Sequence, residues 1–237
     1  MIIASNQYRR PQYTRQWIDA LRRCRGIERA TIVAHCDGGP DADPETARLL
    51  QAIDFCPCRV TVHDKHMGIS AVTLAELDEA FSLDDYAILL DEDILLAPDA
   101  LEYHAWAANC YCDNPNVMSV AVLNREDPGP DDYFTARKRN YFAVWGAGFW
   151  RSRWQGVIRD MALSTTSGWD VTLADYVIAH GLQEVYPVLG RMQNIGAISS
   201  LHSATWFTPE WHKANHHVEV WAGDGREIGA GEWREVC

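Results

Sequence analysis

The run Tyr86-Ala87-Ile88-Leu89-Leu90 leads directly into Asp91-Glu92-Asp93 and then into Ile94-Leu95-Leu96-Ala97-Pro98-Asp99. Five apolar residues without polar alternation match a central strand covered on both faces, hence a mostly parallel sheet between two helical layers. In open sheets of this kind ligands sit in the crevice beyond the strand C-termini. Three acids placed there repel one another, so they either retain protons or call for a cation. Clustered oxygen ligands with room for water suit Mg²⁺ or Mn²⁺, above all where substrate phosphates complete the shell. The alternative is a solvated turn whose acids favour, through the helix dipole, the start of a helix at Pro98.

Working back from this stretch, apolar runs alternate with amphipathic ones. Strands are predicted at Met1 to Ser5, Ala30 to His35 and Arg59 to His63, and helices at Pro11 to Cys24, Pro44 to Ile53 and Ser70 to Phe81. Pro11 suits a first helical position, and Trp17, Leu21 and Cys24 share one face. Asp37 to Asp43 is a Gly/Pro/Asp loop. Forward of the acids, a helix runs from Pro98 to Cys112 and strands follow at Val117 to Leu123 and Val185 to Leu189, with a helix at Trp169 to His180 between them. Arg125 to Asp132 is a polar loop, Tyr141 to Trp150 an aromatic run broken by Gly146 and Gly148, and the chain from Ile195 onward is loop-rich. With no internal repeat and no linker, residues 1–237 are expected to form a single α/β domain. Residues 1–112 would be its nucleotide-binding half, 113–198 its acceptor and catalytic half, and 199–237 a loop-rich segment able to close as a lid.

Composition narrows the function. With 21 Lys+Arg against 33 Asp+Glu, the net charge of −12 supplies no basic stripe for nucleic acid or anionic lipid. No apolar run approaches the roughly 20 residues of a membrane span, and Met1 to Ser5 is too short for a signal-peptide core. The seven cysteines include Cys56-Pro57-Cys58 and Cys110-Tyr111-Cys112, which lack the gap of a zinc knuckle; reduced thiols of a cytoplasmic protein are expected.

The stretch from Leu89 to Asp99 resembles the metal-binding segment of glycosyltransferase family 13, the N-acetylglucosaminyltransferases that act on mannose, in which an acidic triplet precedes an Ala-Pro-Asp helix start. Arg10-Pro11, Asp37 and His66 occur in the order of that family's nucleotide-binding positions. Trp145-Gly146-Ala147-Gly148-Phe149 is similar to its acceptor-side turn, Trp169-Asp170 to its catalytic pair, and Arg191 to Ser199 to the segment leading into its closing loop. The resemblance implies a GT-A fold and inverting transfer of a sugar, with N-acetylglucosamine the first choice, from a UDP-sugar donor to a glycan or small hydroxylated acceptor. It implies that Arg10, Asp37 and His66 contact the nucleotide, Asp91 the donor sugar, Glu92 the ribose and Asp93 a Mn²⁺ or Mg²⁺ ion. Trp145, Gly146 and Trp169 would then lie on the acceptor side, and His202 would reach the diphosphate from the closing loop. The triplet reads Asp-Glu-Asp where the family has Glu-Asp-Asp, and Val171 and Thr172 follow Asp170 where the family carries a second acid. The membrane anchor and stem of eukaryotic relatives have no counterpart here, pointing to a small acceptor or cytosolic glycan precursor.

The chemistry asks for these residue types on its own account. Displacement at an anomeric carbon develops negative charge on the departing diphosphate, which a divalent ion stabilises, and the attacking hydroxyl needs a carboxylate as general base. Asp170, after Ser167-Gly168, stands at a predicted helix N-terminus whose dipole favours the ionised form; the competing reading is a simple N-cap. Two other functions share these residues: a nucleotidyltransferase, which would need basic residues to clamp a triphosphate, and a carbohydrate- or nucleotide-sugar-binding protein that has lost catalysis. His212, His216 and His217 have helical spacing but no accompanying acid, which fits a solvated segment, and most of the ten tryptophans fit packing rather than sugar stacking.

Overall fold

The structure, a computed structural model, describes residues 1–124, 134–164, 168–196 and 232–235. Four parallel strands form the predicted first half: β1 (Ile2–Gln7), β2 (Thr31–Cys36), β3 (Cys58–Val62) and β4 (Tyr86–Leu89), lying in the order β4-β1-β2-β3. Helices α1 (Pro11–Arg22), α2 (Pro44–Gln51) and α3 (Ile69–Leu83) make the crossovers. Pro opens both α1 and α2, and Asp43 caps α2 by accepting from Glu45 N–H at 2.9 Å.

Strand alternation divides the core in two. Ile3, Ile32, Ala34 and Ile88 pack under Trp17 and Leu21 of α1, Leu50 of α2, and Leu101 and Tyr103 of α4 (Ala100–Tyr111). Ile2, Ala4, Val33 and Leu89 face the other way, against Leu77 and Phe81 of α3. Every residue of β1 and β4 is buried, as expected of strands covered on both faces.

The remaining strands are β5 (Ile94–Leu96), β6 (Val117–Val120), β7 (Thr135–Arg139), β8 (Ala147–Trp150), β9 (Gln183–Pro187), β10 (Met192–Asn194) and β11 (Arg234–Glu235). Nine of the described strands form one sheet in the order β11-β7-β9-β6-β8-β4-β1-β2-β3. The aromatic run before Trp150 resolves into β8, inserted antiparallel between β4 and β6. Gly146 turns the chain into it at φ 67°, where a side chain would be strained and would collide with Val122. Strands β5 and β10 pair separately, Asn194 opposite Ile94.

One helical stretch lies outside the periodic pattern: α5 (Arg151–Arg153), a π-helical turn (Trp154–Ile158) and α6 (Arg159–Ser164). The wider turn shifts the apolar period around Gly156, hiding it from a 3.6-residue reading. Its Trp154 indole and Arg159 guanidinium both donate to Asp78 of α3, at 2.9 and 2.8 Å. Helix α7 (Trp169–Ala179) completes the second layer, and no helix among the described residues is long and apolar enough to cross a membrane.

Candidate active site

The C-terminal ends of β1, β2 and β4 open into one cleft of about 1140 Å³, above the common range for small-molecule sites. Arg10, Asp37, His66, Asp91, Glu92, Asp93, Trp145, Trp169 and Asp170 all line it. Gly146 does not: its role is the turn into β8. His202 and the segment expected to act as a lid fall outside the described residues, apart from 232–235.

The acid turn is held from three sides. Ser5 donates to Leu90 O at 2.6 Å and accepts from Gln7, whose carbonyl accepts from Thr14, so β1, β4 and α1 are tied at the cleft floor. Strand β10 supports the other side: Ile195 N–H bonds the Asp93 carbonyl at 2.8 Å. Gly196 packs so close to the Asp93 carboxylate that any Cβ there would collide with it. Asn194, buried, accepts from Gly196 N–H at 2.8 Å.

Arg10 spans two of the three acids, meeting Glu92 at 2.6 Å and Asp93 at 2.9 Å. Asp91 instead accepts from the Asn6 amide at 2.7 Å. Burial pushes the Asp91 carboxyl up to about 6, helped by the charge of Asp93. Glu92 and Asp93 are also raised by burial, and Arg10 opposes the rise in both. Asp170, at the start of α7, lies near enough to add to the repulsion on Asp91. Gly168 occupies the N-cap of α7, so Asp170 sits inside the first turn, not in the capping position.

Asp37 has a different local role from a free ligand. One oxygen accepts from Gly38 N–H at 2.9 Å and Met67 N–H at 2.7 Å; the other accepts from Gly68 N–H at 3.1 Å and meets His66 Nδ1 at 2.8 Å. It thereby pins the loop before α3, and His66 stacks on Tyr8 with ring centroids 5.1 Å apart. Asn6, Tyr8, Thr73, Asn194 and Gly196 also line the cleft and were not singled out from sequence. The available signal was positional, since Ser5-Asn6-Gln7 are polar residues ending an apolar strand.

The acids fit a hard divalent ion. Arg10 pairs with Glu92 and Asp93 and leaves Asp91 to the Asn6 amide, so the acids outnumber the one guanidinium among them, and oxygen is the donor that Mg²⁺ and Mn²⁺ prefer. Among the described residues no three His, Cys, Asp or Glu side chains form a complete metal site. An ion held through fewer side chains keeps coordination positions open for water or phosphate oxygens.

A mixed sheet with helices on both faces and an acid turn after the fourth strand, at the mouth of such a cleft, is the architecture of GT-A glycosyltransferases. No family model matches the chain, and no curated protein matches its sequence. Among solved structures, the mannosyltransferase PcManGT from Pyrobaculum calidifontis, in complex with GDP-Man and Mn²⁺, is similar at 15% identity and a TM-score of 0.55, over 78% of this chain and 54% of that one. S. aureus TarS 1-349 in complex with UDP is similar at 9% identity and a TM-score of 0.57, over 81% of this chain and 58% of that one. The chain thus spans little more than half the length of these neighbours, and at such identities the likeness establishes the fold.

Proposed function

We propose that this chain is a metal-dependent inverting glycosyltransferase that takes a UDP-sugar, with UDP-N-acetylglucosamine the first choice, and transfers the sugar to a hydroxyl of a glycan or small acceptor. The observation that carries the reading is the joining, in one cleft of a GT-A fold, of the acid turn on one side and Asp170 on the other. The complexes of the two neighbours with GDP-Man and Mn²⁺ and with UDP support it.

In this reading Tyr8 and His66 flank the base, and Asp37 acts by fixing the loop that carries His66. Asp91 accepts from a hydroxyl of the donor sugar, and Glu92, oriented by Arg10, accepts from the ribose. Asp93 holds the divalent ion, which when bound offsets the charge on the departing diphosphate. Asp170 takes the proton of the acceptor hydroxyl as it attacks from the opposite face. Trp145 and Trp169 shape the acceptor side. Arg10, paired with both Glu92 and Asp93, keeps Asp93 aimed into the cleft.

A screen of UDP-sugars and GDP-sugars with Mn²⁺ and simple glycans, followed by release of UDP or GDP, tests the proposal, and release of UDP from a UDP-sugar is the expected result. Release of pyrophosphate would instead assign a nucleotidyltransferase, and donor binding without turnover a binding protein. Asp93→Ala should weaken Mn²⁺-dependent UDP binding by about 10²-fold or more while leaving the melting temperature near that of the parent. Unchanged calorimetric binding would remove Asp93 from the metal site.

A further inference from the structure

Glu76 lies on the inner face of α3, one turn beyond Thr73, which lines the cleft. Its side chain is wholly buried, and neither carboxyl oxygen has a hydrogen-bond partner. The neighbouring polar group is Asn6, whose single amide nitrogen donates to Asp91 at 2.7 Å and approaches Thr73 at 3.5 Å. The Asn6 amide also lies near enough to Glu76 to oppose in part the rise of its carboxyl, so two carboxyls, Glu76 and Asp91, flank one amide. The charges acting on Glu76 are those of Asp91 and Glu92, both of like sign, while Arg10 is engaged by Glu92 and Asp93.

We propose that Glu76 is a positioning residue for the donor end of the cleft: an uncharged carboxylic acid that leaves the Asn6 amide on Asp91, and whose ionisation would draw that amide away. The inference rests on the assignment of Asp91 to the donor sugar. An ionised, unpaired and buried carboxylate is costly, so such a group keeps its proton. Burial, followed by the charge of Asp91, raises the Glu76 carboxyl well above the ordinary range. A carboxylate accepts a hydrogen bond roughly twice as strongly as a neutral carboxyl. While Glu76 is neutral, Asp91 wins the amide and stays aimed at the sugar. Once Glu76 is charged, the two compete, and Asp91 loses its only described orienting donor.

The sign of the pH effect follows. A carboxyl raised in the folded state binds a proton that the unfolded chain releases, so stability falls as pH rises from the unfolded value toward the folded one. Glu76→Gln has no proton to lose, and its melting temperature should exceed that of the parent by a margin that widens with pH, without any ligand. Glu76→Met, similar in size and also unable to ionise, should behave alike and guards against a defect peculiar to Gln.

The second arm is titration calorimetry with UDP-N-acetylglucosamine and with UDP in Mg²⁺, between about pH 6 and pH 8.5. Parent affinity for the sugar nucleotide should fall with rising pH, by up to about tenfold per unit once Glu76 ionises. Affinity for UDP, which lacks the sugar, should not show this fall, and in Glu76→Gln the sugar-nucleotide affinity should change less steeply than in the parent, with only the slope left by Asp91 and Glu92, and stay within about twofold of the parent at pH 6. Identical pH profiles in parent and variant, or a loss above about tenfold in Glu76→Gln at pH 6, would overturn the positioning role. A parent that binds neither ligand at any pH sinks the donor reading and the positioning role with it. A melting-temperature margin that does not change with pH refutes the uncharged Glu76 whatever the ligands do.

Discussion

Asp170 shows what a single carboxylate is asked to do. Because Gly168 holds the N-cap, replacing Asp170 by Asn removes no capping bond, and the first turn of α7 should keep its stability. On the proposed general-base role, Asn cannot accept the proton, so turnover should fall by about 10² to 10⁴ while donor affinity and melting temperature change little. Near-normal turnover in steady-state kinetics would take the general-base role from Asp170. Residue type and order were enough to bring Asp170, Asp93 and His66 to attention. They brought Arg10 and Asp37 forward as well, but not their partners: the Asp37 oxygens are engaged by a loop about 30 positions away, and Arg10 sits on two acids as well as facing the cleft. Hydrogen-bond partners of that separation leave no trace in a local pattern.

At the level of elements, the segment that carries Gly196 to Asp93 is anchored by an ion pair. Arg191 Nε meets both oxygens of Asp99 at 2.9 Å, each side chain wholly buried, and Arg191 also donates to Leu189 O at 2.6 Å. Asp99 stands at the N-cap of α4 yet makes no capping bond, so its carboxylate serves β10 instead of its own helix. Arg191 N–H and O extend the tie to Val122 and Ala97. Asp99→Ala would strand a buried guanidinium, at a cost of about 3–5 kcal/mol. Urea unfolding should show that loss; a change under about 1 kcal/mol would mean the pair is not what anchors β10. Strands and helices with regular periods were readable, from β1 through α4. The sequence starts a helix at Pro98, whereas α4 begins at Ala100, with the Ala97 N–H and the Asp99 carboxylate both bonded to Arg191. The π-helical turn was unreadable because its period matches no regular element.

For the molecule as a whole, stability depends on pH through groups whose charged form burial penalises. His104, wholly buried between Tyr86 and Tyr103, is pushed by burial from 6.5 down to about 3. The folded protein keeps it neutral while the unfolded chain takes up a proton, so stability drains as pH falls below about 6.5, by up to about 1.4 kcal/mol per unit. The raised acids Glu76, Asp91 and Glu92 act with the opposite sign, so two proteins must be compared. His104→Gln, which can still hydrogen-bond the Tyr86 hydroxyl, should lessen the acid loss between about pH 6 and pH 4 by about 1 kcal/mol per unit in chemical unfolding. Equal slopes would place the acid sensitivity elsewhere. The sequence alone determined the α/β alternation, the fully covered strands and the acids at the end of Tyr86 to Leu89, because apolar periodicity and helix starts are written in windows of a dozen residues. Tertiary structure decided that β8 enters antiparallel beside β4, that Asp170 shares a cleft with Asp93, and that Glu76 has no partner. Those depend on which surfaces meet, and packing between residues distant in the chain is settled only when the sheet closes over its two cores.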